Sequence, residues 1–233
     1  MSEYQQKIDK LGFAIAPRVI SDSQIEKLIE SLSKLSNLPS KENKRVYGVR
    51  NMLNLSIEIR QLAESRIVKN LVEDVLGESA KPVRAIFFDK TPEANWKVPW
   101  HQDLTIAVKE KRETEGFTAW TRKVGIQHVQ PPVSILEKML TVRIHLDNAN
   151  ETNGALKVLP NSHKHGRLSA SAIQNLRKTN RIKTCPVRRG EAFLMRPLIV
   201  HSSSAGTSPS HRRVIHIEFA TGTLPNNLEW YDS

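Results

Sequence analysis

The stretch R-R-V-I-H-I-E-F-A, residues 212 to 220, points to the fold class, because apolar and polar side chains alternate along it. Successive side chains of a strand point to opposite faces of a sheet, so this alternation predicts a half-buried β-strand. Arg212, His216 and Glu218 share one face, and Arg213 points to the other. The segment is therefore predicted to be a strand that carries three ionisable side chains on one face.

Other β-like segments precede this strand, mostly in the second half of the chain. They are L-G-F-A-I-A-P at 11 to 17, P-V-R-A-I-F-F-D-K at 82 to 90, T-V-R-I-H-L-D at 141 to 147, A-L-K-V-L-P at 155 to 160 and E-A-F-L-M-R-P-L-I-V-H at 191 to 201. The turn-forming residues N-A-N-E-T-N-G separate the segments at 141 and 155, which predicts that these two segments form a hairpin.

Helical patterns dominate the first third of the chain. Gln24 follows Ser21 at the spacing of a capping box, so a helix is predicted to begin here. Two more helices are predicted over residues 57–65 and 67–77, the second ending at Gly77, because glycine often stops a helix. The polar residues 34–45 are predicted to form a loop.

This order of elements predicts an α+β protein with a mainly β core, in which helices pack on an antiparallel sandwich or barrel. A chain of 233 residues suits one domain, with a helical support region over 1–80 and a β core over 81–222. Residues 104–140 show little periodicity. They are either a lid-like functional loop or a plain connector, and the sequence leaves both interpretations open.

The composition restricts the classes of partner. The formal net charge of +11 fits an anionic small-molecule substrate, but the basic residues are scattered and only 6% of residues are aromatic. We therefore expect no nucleic-acid binding. The N-terminus has no apolar signal core and no apolar run reaches the length of a membrane span, so a cytoplasmic protein without a membrane partner is expected. The single cysteine, Cys185, fits a reducing compartment, and the oligomeric state is not predicted.

Two H-x-D pairs are candidates for a metal site. W-H-Q-D contains His101 and Asp103, and H-L-D contains His145 and Asp147. In a strand, residues two apart face the same side, so either pair presents an imidazole and a carboxylate together. Asp147 opens a turn, where its side chain would bond the backbone, and Arg143 would compete for it. Spacing alone does not choose between the pairs.

A second histidine and an arginine strengthen the metal interpretation. His201 ends the apolar run L-I-V-H, and Arg212 begins the next strand. Two histidines and one carboxylate hold octahedral Fe(II) and leave open positions for a co-substrate and O₂. Arg212 could clamp a carboxylate with two parallel hydrogen bonds. Iron together with a carboxylate clamp suggests 2-oxoglutarate as the co-substrate.

Four motifs, in this order, resemble the phytanoyl-CoA dioxygenase family: W-H-Q-D at 100–103, L-P-N-S-H at 159–163, M-R-P-L-I-V-H-S-S-S at 195–204 and H-R-R-V-I-H-I-E-F-A at 211–220. The resemblance covers nearly the whole chain and implies a double-stranded β-helix, a jelly-roll of the cupin type. It implies that His101, Asp103 and His201 bind Fe(II), and that 2-oxoglutarate is held by Arg212, Ser203, Lys90 and Arg143. Relatives often have tryptophan at the position of Arg143.

The implied activity is hydroxylation of a small organic substrate, with release of succinate and CO₂. Desaturation, epimerisation and ring closure use the same iron chemistry and remain alternatives, as does a non-catalytic jelly-roll that binds a metal or ligand. Related halogenases have a small residue where this chain has Asp103, which argues against halogenation. Candidate substrate contacts, chosen by position, are Gln102, His128, Gln130 and His145.

Overall fold

The computed structural model describes residues 2–36, 48–208 and 211–232. The helices are α1 (Glu3–Leu11), α2 (Asp22–Ser36), α3 (Met52–Leu55), α4 (Ile57–Ala63), α5 (Arg66–Leu76), α6 (Val133–Leu136) and α7 (Ala170–Thr179), with a 3₁₀ turn at Ser162–His165. The strands are β1 (Phe13–Ala16), β2 (Gly48–Arg50), β3 (Lys81–Lys90), β4 (Val98–His101), β5 (Ile106–Val108), β6 (Thr118–Lys123), β7 (Ile126–Gln130), β8 (Met139–His145), β9 (Leu156–Val158), β10 (Lys183–Cys185), β11 (Ala192–Met195), β12 (His201–Ser203) and β13 (Arg212–Ala220). Of the predicted loop at 34–45, residues 37–45 lie outside the described residues, and 34–36 end α2.

Two antiparallel sheets form the body of the fold. The larger sheet has the order β1-β11-β8-β13-β3-β2, and the smaller has the order β10-β9-β12-β4. Side chains from both sheets, among them Phe193 and Met195 of β11 and Leu156 and Val158 of β9, pack into one core between them. Two facing antiparallel sheets are the architecture of a jelly-roll.

The opening segment 212–220 is strand β13, with the predicted bounds, and it lies inside the larger sheet between β3 and β8. Its apolar face, with Ile215, Ile217 and Phe219, packs into the core beneath the helices. The other face carries Arg212 and His216 toward the interior of the sandwich. Alternation along one strand therefore supplies both the helix-side core and the wall of a polar interior.

The predicted helix boundaries are largely confirmed. Ser21 and Gln24 form the reciprocal capping hydrogen bonds, in which the Ser21 N–H donates to Oε1 of Gln24 at 2.9 Å and the Gln24 N–H donates to Oγ of Ser21 at 3.3 Å. Gly77 ends α5 with φ of 88°, a backbone angle that favours glycine. No described helix is long and apolar enough to cross a membrane.

Two strand assignments made from the sequence are wrong. The segment at 155–160 contains β9, which pairs with β10 and β12 of the smaller sheet and not with β8. The run at 191–201 contains parts of two strands in different sheets, β11 and β12, separated by residues 196–200. In both places the chain crosses from one sheet to the other, which a hydrophobic pattern along one segment does not reveal.

Residues 104–140 are not an irregular loop. They contain β5, β6 and β7, which form a separate three-stranded antiparallel sheet, and the short helix α6. Strand β6 is exposed along nearly its whole length, so it has no buried face to produce an alternating pattern. Whether this sheet works as a lid stays a prediction, as does the division of the chain into a support region and a core.

Candidate metal centre

The first H-x-D pair and His201 lie together where β4 meets β12. His101 ends β4 and is the direct cross-strand partner of His201, the first residue of β12. Nε2 of His101 lies 3.6 Å from Oδ1 of Asp103, and Nε2 of His201 lies 3.8 Å from Oδ2 of the same carboxylate. One donor atom from each residue lies within 4.8 Å of the others. The three side chains therefore converge on one point.

Both histidines are held in the tautomer that a metal requires. Nδ1 of His101 lies 2.8 Å from the carbonyl oxygen of Pro99, and Nδ1 of His201 lies 3.0 Å from that of Ile199. A carbonyl only accepts hydrogen bonds, so each Nδ1 carries the proton and each Nε2 presents a lone pair. Ligating histidines are commonly oriented in this way by a second hydrogen bond.

The electrostatics keep one anion among neutral donors. Burial opposes ionisation of Asp103, but the neighbouring imidazoles of His201 and His101 hold its pKa far below the usual range. Burial lowers the pKa of His201 to about 4, so this imidazole is neutral near pH 7. For His101, burial is outweighed by the hydrogen bond and attraction to Asp103, and its pKa is raised. Oδ2 of Asp103 is buried and has no hydrogen-bond partner among the described residues, which fits a carboxylate that would bind a cation.

A cavity of about 140 Å³ opens onto the triad. Its walls are Phe88, Trp96, Val98, His101, Asp103, Arg143, Leu156, His201, Ser203, Arg212 and His216. A groove of about 590 Å³ lies on the other side of β4 and β12, against α7, and none of the three metal donors lines it. The smaller cavity is the candidate reaction site because it alone combines the metal donors with buried cations.

The end of the cavity away from the triad is a cluster built around the carbonyl of Gly154. This oxygen accepts hydrogen bonds from Oγ of Ser203 at 2.8 Å and from Nη1 of Arg212 at 2.7 Å. Nζ of Lys90 donates to the same Ser203 hydroxyl at 3.1 Å and to the carbonyl of Ser204 at 2.7 Å. Three of the four residues that the sequence grouped around a co-substrate are therefore in one hydrogen-bonded cluster, and the fourth, Arg143, lies outside it.

The cations of this cluster are buried close to one another. Burial lowers the pKa of Lys90 to about 8, and the neighbouring Arg212 adds to the effect. Burial also lowers the pKa of Arg212 to about 10, with a contribution from Arg143. Within the part of the chain that the structure describes, Nε of Arg212 has no hydrogen-bond partner. Buried cations with unused donors form a site that favours an anion.

The second H-x-D pair is not at this site. Asp147 forms a bidentate ion pair with Arg213, with distances of 2.7 and 2.8 Å, and also accepts the backbone N–H of Arg213. Arg143, which we expected to compete for Asp147, instead contacts His216. His145 is buried, and neither ring nitrogen has a hydrogen-bond partner in residues 2–36, 48–208 and 211–232. Burial, followed by the nearby Arg143, lowers its pKa. Asp147 is thus paired with Arg213 of the neighbouring strand β13. The turn-forming tendency of aspartate did not predict this partner.

None of the four candidate substrate contacts lines the cavity. The amide of Gln102 donates to the carbonyls of Gly166 and Leu198 and accepts from the N–H of Leu168, so it fixes the end of β4. His128 is buried in β7, and its Nδ1 contacts the carbonyl of Ile126. Gln130 ends the same strand, and His145 is buried at the end of β8. Their placement gives no support for direct contact with a ligand in this cavity.

The sequence interpretation missed several wall residues. Trp96 precedes the W-H-Q-D motif and gave no recognisable signal, although its ring lies under Nζ of Lys90 at 5.3 Å. Gly154 was read only as part of a turn, yet its carbonyl organises the cation cluster. His216 was detectable, since it shares a strand face with Arg212, but parity alone did not distinguish a wall residue from a structural one.

Two histidines and one carboxylate at the mouth of a jelly-roll form the donor arrangement of non-haem iron oxygenases. The fold is similar to AviO1 from Streptomyces viridochromogenes Tue57, with 23% identity, 95% of each chain covered and a TM-score of 0.68. It is similar to the α-ketoglutarate-dependent carbocyclase SnoK of nogalamycin biosynthesis, with 16% identity, 96% and 85% covered and a TM-score of 0.73. EctD from S. alaskensis, crystallised with 2-oxoglutarate and 5-hydroxyectoine, gives 15% identity, 95% and 76% covered and a TM-score of 0.73. These similarities confirm the expected fold.

Sequence comparison identifies the family. A phytanoyl-CoA dioxygenase domain-containing protein 1 homolog of Caenorhabditis elegans is 24% identical, with 99% of this chain and 95% of that protein covered. The model of the phytanoyl-CoA dioxygenase family matches residues 8–214. The chain belongs to the phytanoyl-CoA dioxygenase family.

Proposed function

We propose that the protein is an Fe(II)- and 2-oxoglutarate-dependent oxygenase that hydroxylates a small organic substrate. The observation that carries this proposal is the convergence of His101, Asp103 and His201 on one cavity whose opposite end holds buried cations. Family membership supports the same chemistry. When bound, iron with 2-oxoglutarate and O₂ supplies an oxidant for substrate C–H bonds, and 2-oxoglutarate leaves as succinate and CO₂.

The protein's own residues provide binding and orientation. The Nε2 lone pairs of His101 and His201, fixed by backbone carbonyls, and the ionised Asp103 would hold Fe(II). The unpaired Oδ2 of Asp103 is the feature that fits a cation best. Because the carboxylate is present, the metal face has no vacated protein position of the kind that related halogenases offer to chloride.

The far end of the cavity would hold the second carboxylate of 2-oxoglutarate. Arg212 supplies a fixed guanidinium, Lys90 a point charge and Ser203 a hydroxyl, all gathered around Gly154. Arg143 is the third cation of the proposed site and lies at the metal end of the cavity. Three cations and one carboxylate line or adjoin the space, and this charge excess supports an anionic substrate.

The type of reaction is proposed only from the chemistry of proteins with a similar fold. Solved structures of this fold include a carbocyclase and an epimerase as well as EctD. Ring closure, epimerisation and desaturation therefore remain alternatives to hydroxylation, since all begin from the same oxidant. Incubation with candidate substrates and analysis of product mass separates three outcomes: hydroxylation adds one oxygen atom, desaturation and ring closure each remove two hydrogens, and epimerisation leaves the mass unchanged. The NMR spectrum of the product then distinguishes a new double bond from a new ring.

Anaerobic titration with Fe(II) and 2-oxoglutarate tests the proposal. A weak visible charge-transfer band is expected only when both are present, and His101→Ala should abolish it. His211→Ala is the matched control, because His211 is 58% exposed, pairs with Asp89 and lies outside the cavity wall. A wild-type protein that binds no iron, or binds it with no response to 2-oxoglutarate, would contradict the proposal.

A further inference from the structure

Arg143 is a buried cation without a carboxylate partner. It lies on β8, is 7% exposed and lines the metal end of the cavity. Its Nη1 contacts Nδ1 of His216 at 2.7 Å, its guanidinium lies 5.7 Å from the centre of the Phe88 ring, and its Nε has no partner. Among the described residues it forms no ion pair. Burying a guanidinium in this way is costly unless an anion completes the site.

A hydrogen-bonded chain fixes the position of this guanidinium. Arginine only donates, so Nδ1 of His216 must accept, and its proton is on Nε2. That Nε2 donates to Oε1 of Glu218 at 3.1 Å, and Glu218 is ion-paired with Arg84. The negative charge of Glu218 is thus neutralised by Arg84, at the end of this hydrogen-bonded series that lies away from Arg143. Because His216 is neutral, it does not compensate the positive charge of Arg143.

Arg143 and Arg212 mark different ends of the cavity. Arg212 is the cross-strand partner of Lys90, whereas Arg143 is the partner of His216, four residues further along β13. Four residues of strand correspond to roughly 13 Å between the two positions along the sheet. Attraction to Asp103 acts on Arg143, which places it toward the metal donors. The two arginines therefore extend from positions at different ends of the cavity.

We propose that Arg143 binds a small anionic group, a carboxylate or an oxyanion of similar size, at the metal end of the cavity, and that His216 is its positioning residue. The inference rests on the proposed function. The anion has two sources: the near carboxylate of 2-oxoglutarate or an anionic group of the substrate. Both place the same chemistry against Arg143, and binding experiments separate them.

The first arm uses Arg143→Met with two keto acids in Fe(II)-loaded protein. 2-Oxopentanoate lacks the far carboxylate of 2-oxoglutarate, so it does not engage Arg212. If Arg143 holds the near carboxylate, both dissociation constants, read from the charge-transfer band, should rise by about tenfold or more, the effect of losing a charge-assisted hydrogen bond. Arg213→Met is the matched control, because Arg213 is on the same strand as Arg212 but pairs with Asp147.

The second arm uses inorganic phosphate and acetate with protein already saturated with Fe(II) and 2-oxoglutarate. If the anion belongs to the substrate, keto-acid binding is unchanged in Arg143→Met. Phosphate or acetate then perturbs the band saturably in wild type and at least tenfold more weakly in the variant. Thermal unfolding of each variant checks that it is folded, and Arg143→Lys keeps the charge if the methionine variant is not.

The positioning role has its own test. His216→Gln retains one acceptor and one donor and should restore anion affinity toward wild type, whereas His216→Phe should reproduce most of the loss seen in Arg143→Met. Unchanged binding of the keto acids, phosphate and acetate in folded Arg143→Met would overturn the inference. If wild type itself shows no band with Fe(II) and 2-oxoglutarate, the proposed function fails instead, so the two failures are distinguishable.

Discussion

Gly154→Ala should damage the co-substrate end of the cavity and leave the metal donors in place. Gly154 has φ of +86°, and an added Cβ would lie 2.5 Å from the carbonyl oxygen of Ser204 and 2.9 Å from Nζ of Lys90. The lysine could move, but the backbone carbonyl could not. Since the Gly154 carbonyl also accepts from Ser203 and Arg212, any shift of this backbone displaces both donors.

The expected loss of stability in Gly154→Ala has two parts. An L-residue in the left-handed region costs about 1–2 kcal/mol. Relief of the 2.5 Å contact with the Ser204 carbonyl requires backbone movement and loss of at least one hydrogen bond, a further cost of about 1–2 kcal/mol. A total of about 2–4 kcal/mol corresponds to a Tm lower by roughly 4–16 °C for a chain of this size.

Gly222→Ala is the matched control, since Gly222 has φ of +76° and no atom within 4 Å of an added Cβ. The control pays only the backbone cost, so its Tm should fall by roughly half as much as that of Gly154→Ala. The 2-oxoglutarate dissociation constant should rise about tenfold or more in Gly154→Ala and stay unchanged in the control.

Fe(II) affinity without the co-substrate should be the same in both variants, because neither glycine contacts the triad. Calorimetry gives the two Tm values, and anaerobic titration gives the two affinities. The reasoning is refuted if Gly154→Ala binds 2-oxoglutarate as tightly as Gly222→Ala, because the Gly154 carbonyl would then not organise the site.

The remaining predictions concern pH and individual charges. The pKa of Lys90 is about 8, so its positive charge is present below that pH and lost above it. The 2-oxoglutarate dissociation constant should therefore rise as pH increases through this value, and a Lys90→Met variant with the same pH profile would exclude this cause. Asp103→Asn should abolish iron binding, measured by metal content. Asp147→Asn should retain iron and lower the free energy of unfolding by about 1–3 kcal/mol. Loss of iron in Asp147→Asn would mean that His145 and Asp147 are the metal-binding pair. Arg212→Lys keeps a charge but not the fork geometry, so 2-oxoglutarate affinity should fall between wild type and Arg212→Met, and equal affinities of lysine variant and wild type would contradict a bidentate clamp.

Much of the larger sheet could be predicted from the sequence because its strands have one helix-facing and one interior face. The segment at 212–220 coincides with β13, and the segment at 82–90 with all but the first residue of β3. The same logic failed for 191–201, where the mostly apolar run suggested one strand but residues 196–200 carry the chain from one sheet to the other. The hydrophobic periodicity of a segment indicates which of its side chains are buried. It does not indicate which of the two sheets the strand joins.

The candidate site was predictable only in part. The choice of Asp103 over Asp147 agrees with the geometry, although the partner of Asp147 is Arg213 and not the expected Arg143. The position of Lys90 depended on family resemblance, since nothing local indicates that a lysine at a strand end is buried. The Gly154 cluster could not be predicted, because it arises where three distant segments meet in the folded chain.

The pairing of His101 with His201 has a consequence for local dynamics. Strand β4 is four residues long, lies at the edge of its sheet and, among the described strands, pairs only with β12. A metal held by both histidines would act as a cross-link between segments one hundred residues apart in the chain. A metal that binds the folded chain and not the unfolded chain stabilises the folded state by mass action, by about 2.7 kcal/mol at a free metal concentration one hundred times its dissociation constant. Amide hydrogen exchange in β4 should therefore slow when metal is added, while exchange in β13, inside the larger sheet, should change little.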